Sequence, residues 1–130
     1  MFKTNLTQAR LENANFSGAS LDNAVLNNAR LKGAVFEGAG LLGAEIDRSE
    51  LLKANLKGIS LKNKDLSFAE LSGLDLSHVD FSGANLSNAI LKETNLNEAD
   101  LSGADLSEAD LSFASLDGAT LTVTGIAAAT

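Results

Sequence analysis

The sequence predicts an all-β fold: a quadrilateral β-helix of about six coils, with 20 residues in each coil. Three observations predict it. Every fifth residue from Leu6 to Ile126 is Leu, Phe or Ile, at all 25 positions. The residue two before each of these is Ala at 17 of the 25 sites, and the residue two after is Gly or Asn at 14 of them. No insertion or deletion interrupts this spacing, so the fold is predicted from the repeat before any other feature of the sequence.

A period of five excludes both regular secondary structures. In an α-helix five residues advance by about 140° net, so the Leu side chains would spread around the axis instead of forming one stripe. In a straight strand an odd period sends successive Leu side chains to opposite faces. A turn in every pentapeptide solves both problems, because Gly and Asn tolerate the positive φ at the third residue of a type II turn. Four such sides close a coil, with Leu and Ala inside and three polar residues outside.

The repeat resembles the A(D/N)LXX motif of the pentapeptide-repeat proteins. It occurs verbatim at Ala84–Asn88, Ala99–Gly103 and Ala104–Glu108, and the resemblance covers about residues 4–126. It implies a right-handed solenoid and a bacterial source, cyanobacteria being notable among the sources of this family. A shared fold does not identify a function, since members range from unassigned proteins to gyrase-binding resistance factors.

The 130 residues fit a single domain, with repeats over about 4–126 and a short tail over 127–130. We expect little or no helix. Because residues 20 apart should lie on the same side of neighbouring coils, Phe16 should stack on Phe36. Phe2 and the segment from residue 122 onward are candidate caps for the two ends of the solenoid. Larger residues at the inner Ala position should widen or distort the third and fourth coils: Ile59, Lys64, Leu74 and Val79.

Composition removes several classes of function. The chain has no Cys and one His, which excludes a disulfide scaffold, a thiolate metal site and any site that needs two imidazoles. No apolar run approaches the roughly 18 residues of a membrane span. We see no signal peptide and therefore predict a cytoplasmic protein without membrane contact. A net charge of −7 argues against direct nucleic-acid binding, and we predict no cofactor and no metal.

An enzyme is not expected. His78 is the only imidazole and falls at an outward corner, with Ser77 beside it and Asp75 and Asp80 nearby in sequence. A Ser–His–Asp arrangement needs a pocket and an oxyanion hole, and a convex solenoid packed with Leu and Ala offers neither. We therefore assign no catalytic residue and interpret His78 as a surface residue.

Charge is divided unevenly along the chain. Residues 1–65 carry nine basic and seven acidic groups, whereas residues 66–130 carry ten acidic groups and a single Lys. Three interpretations of the acidic half stay open: a solvated surface that maintains solubility, a docking face for a basic partner, or weak divalent-cation binding. The 20-residue spacing puts Asp80 and Asp100 in one outward row. Another row consists of Glu45, Asp65, Asn85 and Asp105. The candidate partner-binding acidic surface is Asp80, Asp100, Asp105 and Asp110.

The sequence thus favours a non-enzymatic structural or interaction protein that binds an unknown protein partner through an outer face. The alternative is an acidic DNA mimic that binds a DNA-binding protein such as gyrase. The charge polarity is compatible with a monomer or a weak head-to-tail oligomer. Outward apolar residues are few, and the stretch from Val35 to Leu42 is the one small apolar patch expected. Phe68 and Phe113 fall on different corners, more than two coils apart.

Overall fold

The computed structural model describes residues 3–122, so the candidate cap Phe2 and the segment 123–130 lie outside the described residues. The chain divides into two compact units, Met1–Ser60 and Leu61–Thr130. Each unit is built from the same 20-residue coil, with one five-residue side following another. A single domain of six coils stays a prediction.

Tight turns form the corners of the coils. The carbonyl of an inner Leu accepts a hydrogen bond from the N–H three residues later, as in Ala9 N–H to Leu6 O at 3.0 Å. At the third residue of these turns φ lies between +57° and +73°, at every fifth residue from Gln8 to Gly118 except at Arg48 and Lys53. This hydrogen bond and a positive φ at the third residue alone define a type II turn. The predicted corner geometry is confirmed, and it holds even where Glu, His or Phe occupies the corner.

Coils pair through single parallel bridges, and residues 3–122 contain no longer strand. All fourteen bridges join residues 20 apart, six within Met1–Ser60 and eight within Leu61–Thr130. A side only five residues long leaves one outward residue between consecutive turns for this pairing. The predicted pairing of residues 20 apart is confirmed, as a ladder of isolated bridges.

The inner positions form the core. Leu26, Leu86 and Ala89 have no exposed surface. Phe16 and Phe36 stack with ring centroids 5.1 Å apart and an interplanar angle of 19°, which confirms the predicted pair.

Of the four inner residues expected to widen the coils, Leu74 and Val79 lengthen the hydrogen bond of the turn, whereas Ile59 and Lys64 keep it at 3.1 Å, within the range of the Ala corners. The N–H to carbonyl distance of the turn is 2.8–3.1 Å where Ala is the inner residue and 3.3 Å at Leu74, Val79 and Thr94. Lys64 keeps its turn, with its N–H 3.1 Å from Leu61 O, and its side chain is half-buried. Burial lowers the pKa of the Lys64 ammonium because the charged form is desolvated.

One segment departs from the coil. A four-residue helix, α1, spans Arg48–Leu51, with Asp47 at its N-cap. Arg48 and Lys53 occupy consecutive corner positions where Gly or Asn is usual, and both lack the positive φ of a corner. The run from Arg48 to Lys53 is rich in good helix formers. The expectation that every pentapeptide forms a side was therefore wrong here.

Beside α1, two carboxylates accept backbone hydrogen bonds that a carbonyl of the next coil would otherwise accept. In a regular coil the N–H of a residue donates to the carbonyl 19 residues later, as Leu6 N–H does to Val25 O at 2.7 Å. Next to α1 the Asn28 N–H instead donates to Asp47 Oδ2 at 2.6 Å. The Leu31 N–H likewise donates to Glu50 Oε2, at 3.3 Å. Side-chain oxygens thus replace two backbone carbonyls that the helical turn withdraws from the ladder.

Candidate functional site

The acidic surface predicted from the sequence lies in the Leu61–Thr130 unit, but its members do not share one face. Asp80 and Asp100 are bridged directly, as the 20-residue spacing predicts. Asp105 is bridged to Asn85, and Asp110 to Ile90. Because each five-residue step turns the chain through one corner, Asp100, Asp105 and Asp110 project from three successive sides of one coil. The structure therefore brings together Asp80 and Asp100 and separates the other two carboxylates.

Each of these carboxylates also accepts a hydrogen bond from the backbone of its own turn. Oδ1 of Asp80, Asp100 and Asp105 accepts a hydrogen bond from the N–H two residues later, at 2.9 Å in all three cases. Asp110 does the same with Ser112 N–H, at 2.9 Å. This is an Asx turn, in which a short polar side chain satisfies a backbone donor that the corner leaves free.

Neutral Asn performs the same task. Asn85 Oδ1 accepts from Ser87 N–H at 3.0 Å and from the Ser87 hydroxyl at 2.7 Å. This hydrogen bond thus needs an acceptor oxygen but no negative charge. The turns that follow Val25, Val35 and Ile90 form without either. Sequence reasoning missed this role, although the recurring pattern Asp/Asn–Leu–Ser is its signal.

The turn bonds keep several of these groups ionised. Hydrogen bonds from the hydroxyl and N–H of the serine two residues later lower the pKa of Asp100, Asp105 and Asp110. The same bonds from Ser72 lower the pKa of Glu70. A carboxylate that accepts such bonds loses them in part on protonation, which favours its charged form.

Few cations oppose this charge. Leu61–Thr130 contains three Lys and eleven Asp or Glu, a net charge of −8, while Met1–Ser60 has seven basic and six acidic groups. Lys92 attracts both Glu70 and Asp110, and Lys62 attracts Asp100. In Met1–Ser60 the numbers of basic and acidic groups nearly balance, and three ion pairs form among its described residues: Lys3 with Glu45, Arg30 with Glu12 and Lys53 with Glu50. The acidic excess of the chain is therefore concentrated in Leu61–Thr130.

His78 shows no catalytic arrangement. It lies exposed at a corner, with Nδ1 3.2 Å from Glu98 Oε2. The Ser77 hydroxyl donates to Asp75 Oδ1 at 2.7 Å, so Ser and Asp pair with each other and the imidazole pairs elsewhere.

One shallow depression lies on this unit. A depression of about 410 Å³ is lined by Ser72, Gly73, Lys92 and Glu93. Within residues 3–122 no group of three or more His, Cys, Asp or Glu side chains could hold a metal ion. The described part of the chain also has no helix long and apolar enough to cross a membrane.

Comparison with known proteins places these features in a family context. The family model described as Pentapeptide repeats matches eight copies, over residues 1–38, 49–92 and 84–122. The uncovered stretch, 39–48, ends where α1 begins. No curated protein matches the chain significantly.

Solved structures agree with the family match. A pentapeptide repeat protein of Nostoc Pcc 7120 is 42% identical over 55% of this chain and 59% of its own, with a TM-score of 0.53. A pentapeptide repeat protein of Cyanothece 51142 is 27% identical over 85% of this chain and 63% of its own, with a TM-score of 0.52. The chain thus spans about three fifths of the length of each. Both come from cyanobacteria, the group in which the sequence led us to expect relatives.

Proposed function

Because the chain belongs to the pentapeptide repeat family, whose members form right-handed quadrilateral β-helices, we propose that it is a non-enzymatic protein-binding module. Its partner contacts an outer face of Leu61–Thr130. The observation that carries this proposal is the net charge of −8 on that unit, with carboxylates that the turns hold in place and keep ionised. An ordered acidic surface attracts and orients a basic protein surface. The cytoplasmic location stays a prediction from the sequence.

The test exploits the finding that Asn caps these turns as well as Asp does. Asp80→Asn with Asp100→Asn removes two charges from one side, and Asp105→Asn with Asp110→Asn removes two charges from two other sides. Native protein and both variants are used as baits in lysate of the source cells, at two salt concentrations. We expect a partner that is held by the native bait, weakened by salt and lost from one double variant only.

The outcomes are distinct. Equal capture by all three baits would contradict the proposal and favour a surface that serves solubility alone. The DNA-mimic alternative predicts that duplex DNA displaces the captured protein, because both would occupy the same nucleic-acid site. Light scattering at low salt decides between a monomer and a weak head-to-tail oligomer.

A further inference from the structure

Three large apolar side chains occupy outward positions in the described part of Leu61–Thr130. Phe68 is 74% exposed, Ile90 39% and Phe113 87%. All other outward positions of residues 61–122 hold polar or charged residues or Gly. The spacing assigns Phe68 and Phe113 to different corners, which by itself suggests no relation between them.

Hydrogen bonds show that these two corners bound the same side. Phe68 N–H donates to Ser87 O at 3.0 Å, which stacks Phe68 over Asn88 in one corner row. Glu93 N–H donates to Ser112 O at 2.9 Å, which stacks Glu93 over Phe113 in the next corner row.

Ile90 lies between the two corner rows. It is bridged on one side to Glu70 and on the other to Asp110. Phe68, Ile90 and Phe113 therefore run diagonally across three consecutive coils, spanning about 10 Å along the stack at the usual strand spacing. We call this side, residues 68–73, 88–93 and 108–113, the Phe68–Phe113 face.

The Phe68 and Phe113 rings contribute little packing to the fold, although both residues adopt a strained backbone conformation. Phe68 has φ of +57° and Phe113 of +60°, a region where Gly and Asn are comfortable and a bulky residue is strained. Because both rings are largely exposed, they recover little of that strain through packing. A bulky residue at such a φ, with most of its ring exposed, is grounds for a functional hypothesis.

The charged groups around Phe68, Ile90 and Phe113 favour a basic partner. Four carboxylates and one ammonium lie on the face: Glu70, Glu93, Glu108, Asp110 and Lys92. The turns lower the pKa of Glu70 and Asp110, so both are charged at neutral pH. The shallow depression over Gly73 opens at the edge of the same face. A second copy presenting the same net negative face would be repelled.

From these observations, and resting on the proposed function, we propose that the Phe68–Phe113 face binds a basic amphipathic segment of a partner protein. Phe68 and Phe113 are the aromatic anchors, and Ile90 continues the apolar contact between them. The carboxylates pair with Lys or Arg beside the apolar stripe of the segment. Aromatic residues, Phe included, are enriched in protein interfaces, where a polar rim surrounds an apolar centre.

The experiment uses a defined probe, a synthetic 18-residue amphipathic helix with one leucine face and one lysine face. It is titrated into the full isotope-labelled chain and followed by amide NMR shifts. The test variant carries Phe68→Asn and Phe113→Asn, which changes no charge. Asn63 and Asn88, with φ of +57° and +58°, show that corners of this unit accommodate Asn. Leu42→Asn is the matched control, since Leu42 is 59% exposed in the other unit.

We expect shifts concentrated on the Phe68–Phe113 face, a Kd raised about tenfold or more in the double variant, and no change with Leu42→Asn. Shifts spread over the whole acidic surface, an unchanged Kd in the double variant, or no binding of the peptide would each overturn this proposal. None of these results decides the proposed function, which the lysate experiment with the Asp variants tests separately. A lysate partner retained by the Phe68→Asn, Phe113→Asn bait would also overturn the face while leaving the binding function in place.

Discussion

Replacing Phe113 with Asn should make the protein more stable, although it removes a large apolar side chain. Phe113 is 87% exposed, so only about 13% of its surface is covered. An enclosed Phe buries about 150–250 Å². The covered part is thus about 20–30 Å², which at about 25 cal/mol per Å² contributes about 0.5–0.8 kcal/mol. Its φ of +60° costs a bulky residue about 1–2 kcal/mol, most of which Asn avoids. The difference of the two ranges is a net gain of about 0.2–1.5 kcal/mol.

Urea unfolding followed by circular dichroism measures this difference in the free energy of unfolding, provided that its dependence on urea concentration is the same for the native protein and the variants. The matched control is Phe81→Ala, because Phe81 points inward and has no exposed surface. It should lose about 3–5 kcal/mol. If Phe113→Asn lowered the free energy of unfolding, the argument that strained rings stay exposed for binding would fail, since the ring would then be stabilising the fold.

Further predictions concern the turns, α1, the core and pH. Asp75→Ala should lower stability by about 1–3 kcal/mol in urea unfolding, and Asp75→Asn by clearly less, because Asp75 accepts the hydroxyl hydrogen bond of buried Ser77. Asp47→Ala should speed amide exchange at Asn28, whose N–H loses its acceptor, while Asp47→Asn should largely preserve protection. Lys64→Ala should stabilise the fold at pH 7 by about 0.5–2 kcal/mol, because it removes a partly desolvated ammonium from an inner position. An unchanged urea midpoint would contradict this, because it would mean that the ammonium is well solvated in the folded chain. Six carboxylates have a lower pKa in the folded chain than their ordinary value: Glu45, Glu50, Glu70, Asp100, Asp105 and Asp110. Their stabilisation is therefore complete above the ordinary carboxyl pKa of about 4 and is lost as pH falls through their folded values. A urea midpoint that stayed constant from about pH 5 to about pH 2 would contradict this.

Much of the fold was predictable because the repeat is local. The inner Leu and Ala, the stacking of Phe16 on Phe36 and the bridge of Asp80 with Asp100 all follow from a period of five and four turns per coil. The exception, α1, was harder to predict because its Leu51 keeps the apolar period. Local helix preference at Arg48–Leu51 competes there with the corner, and acidic side chains compensate the lost ladder bonds.

The candidate site was less predictable. The charge counts assigned the acidic excess to the second half of the chain but did not reveal that each carboxylate accepts hydrogen bonds from its own turn. They also treated Asp100, Asp105 and Asp110 as one surface, whereas the corners direct them to three sides. The repeat already assigned Phe68 and Phe113 to outward corners, and the folded chain adds that both rings are largely exposed and that their two corners bound one side.

The sequence by itself determined which side chains point inward and where the corners fall, except at Arg48 and Lys53, because these depend on the five-residue period. It also determined how charge divides along the chain. Only the tertiary structure decided which outward groups act together. That outcome depends on hydrogen bonds between coils, which bring residues 20 apart into contact and place Phe68, Ile90 and Phe113 on one side. The tertiary structure also showed that the Asp47 carboxylate accepts the hydrogen bond of Asn28 N–H where the backbone leaves the coil.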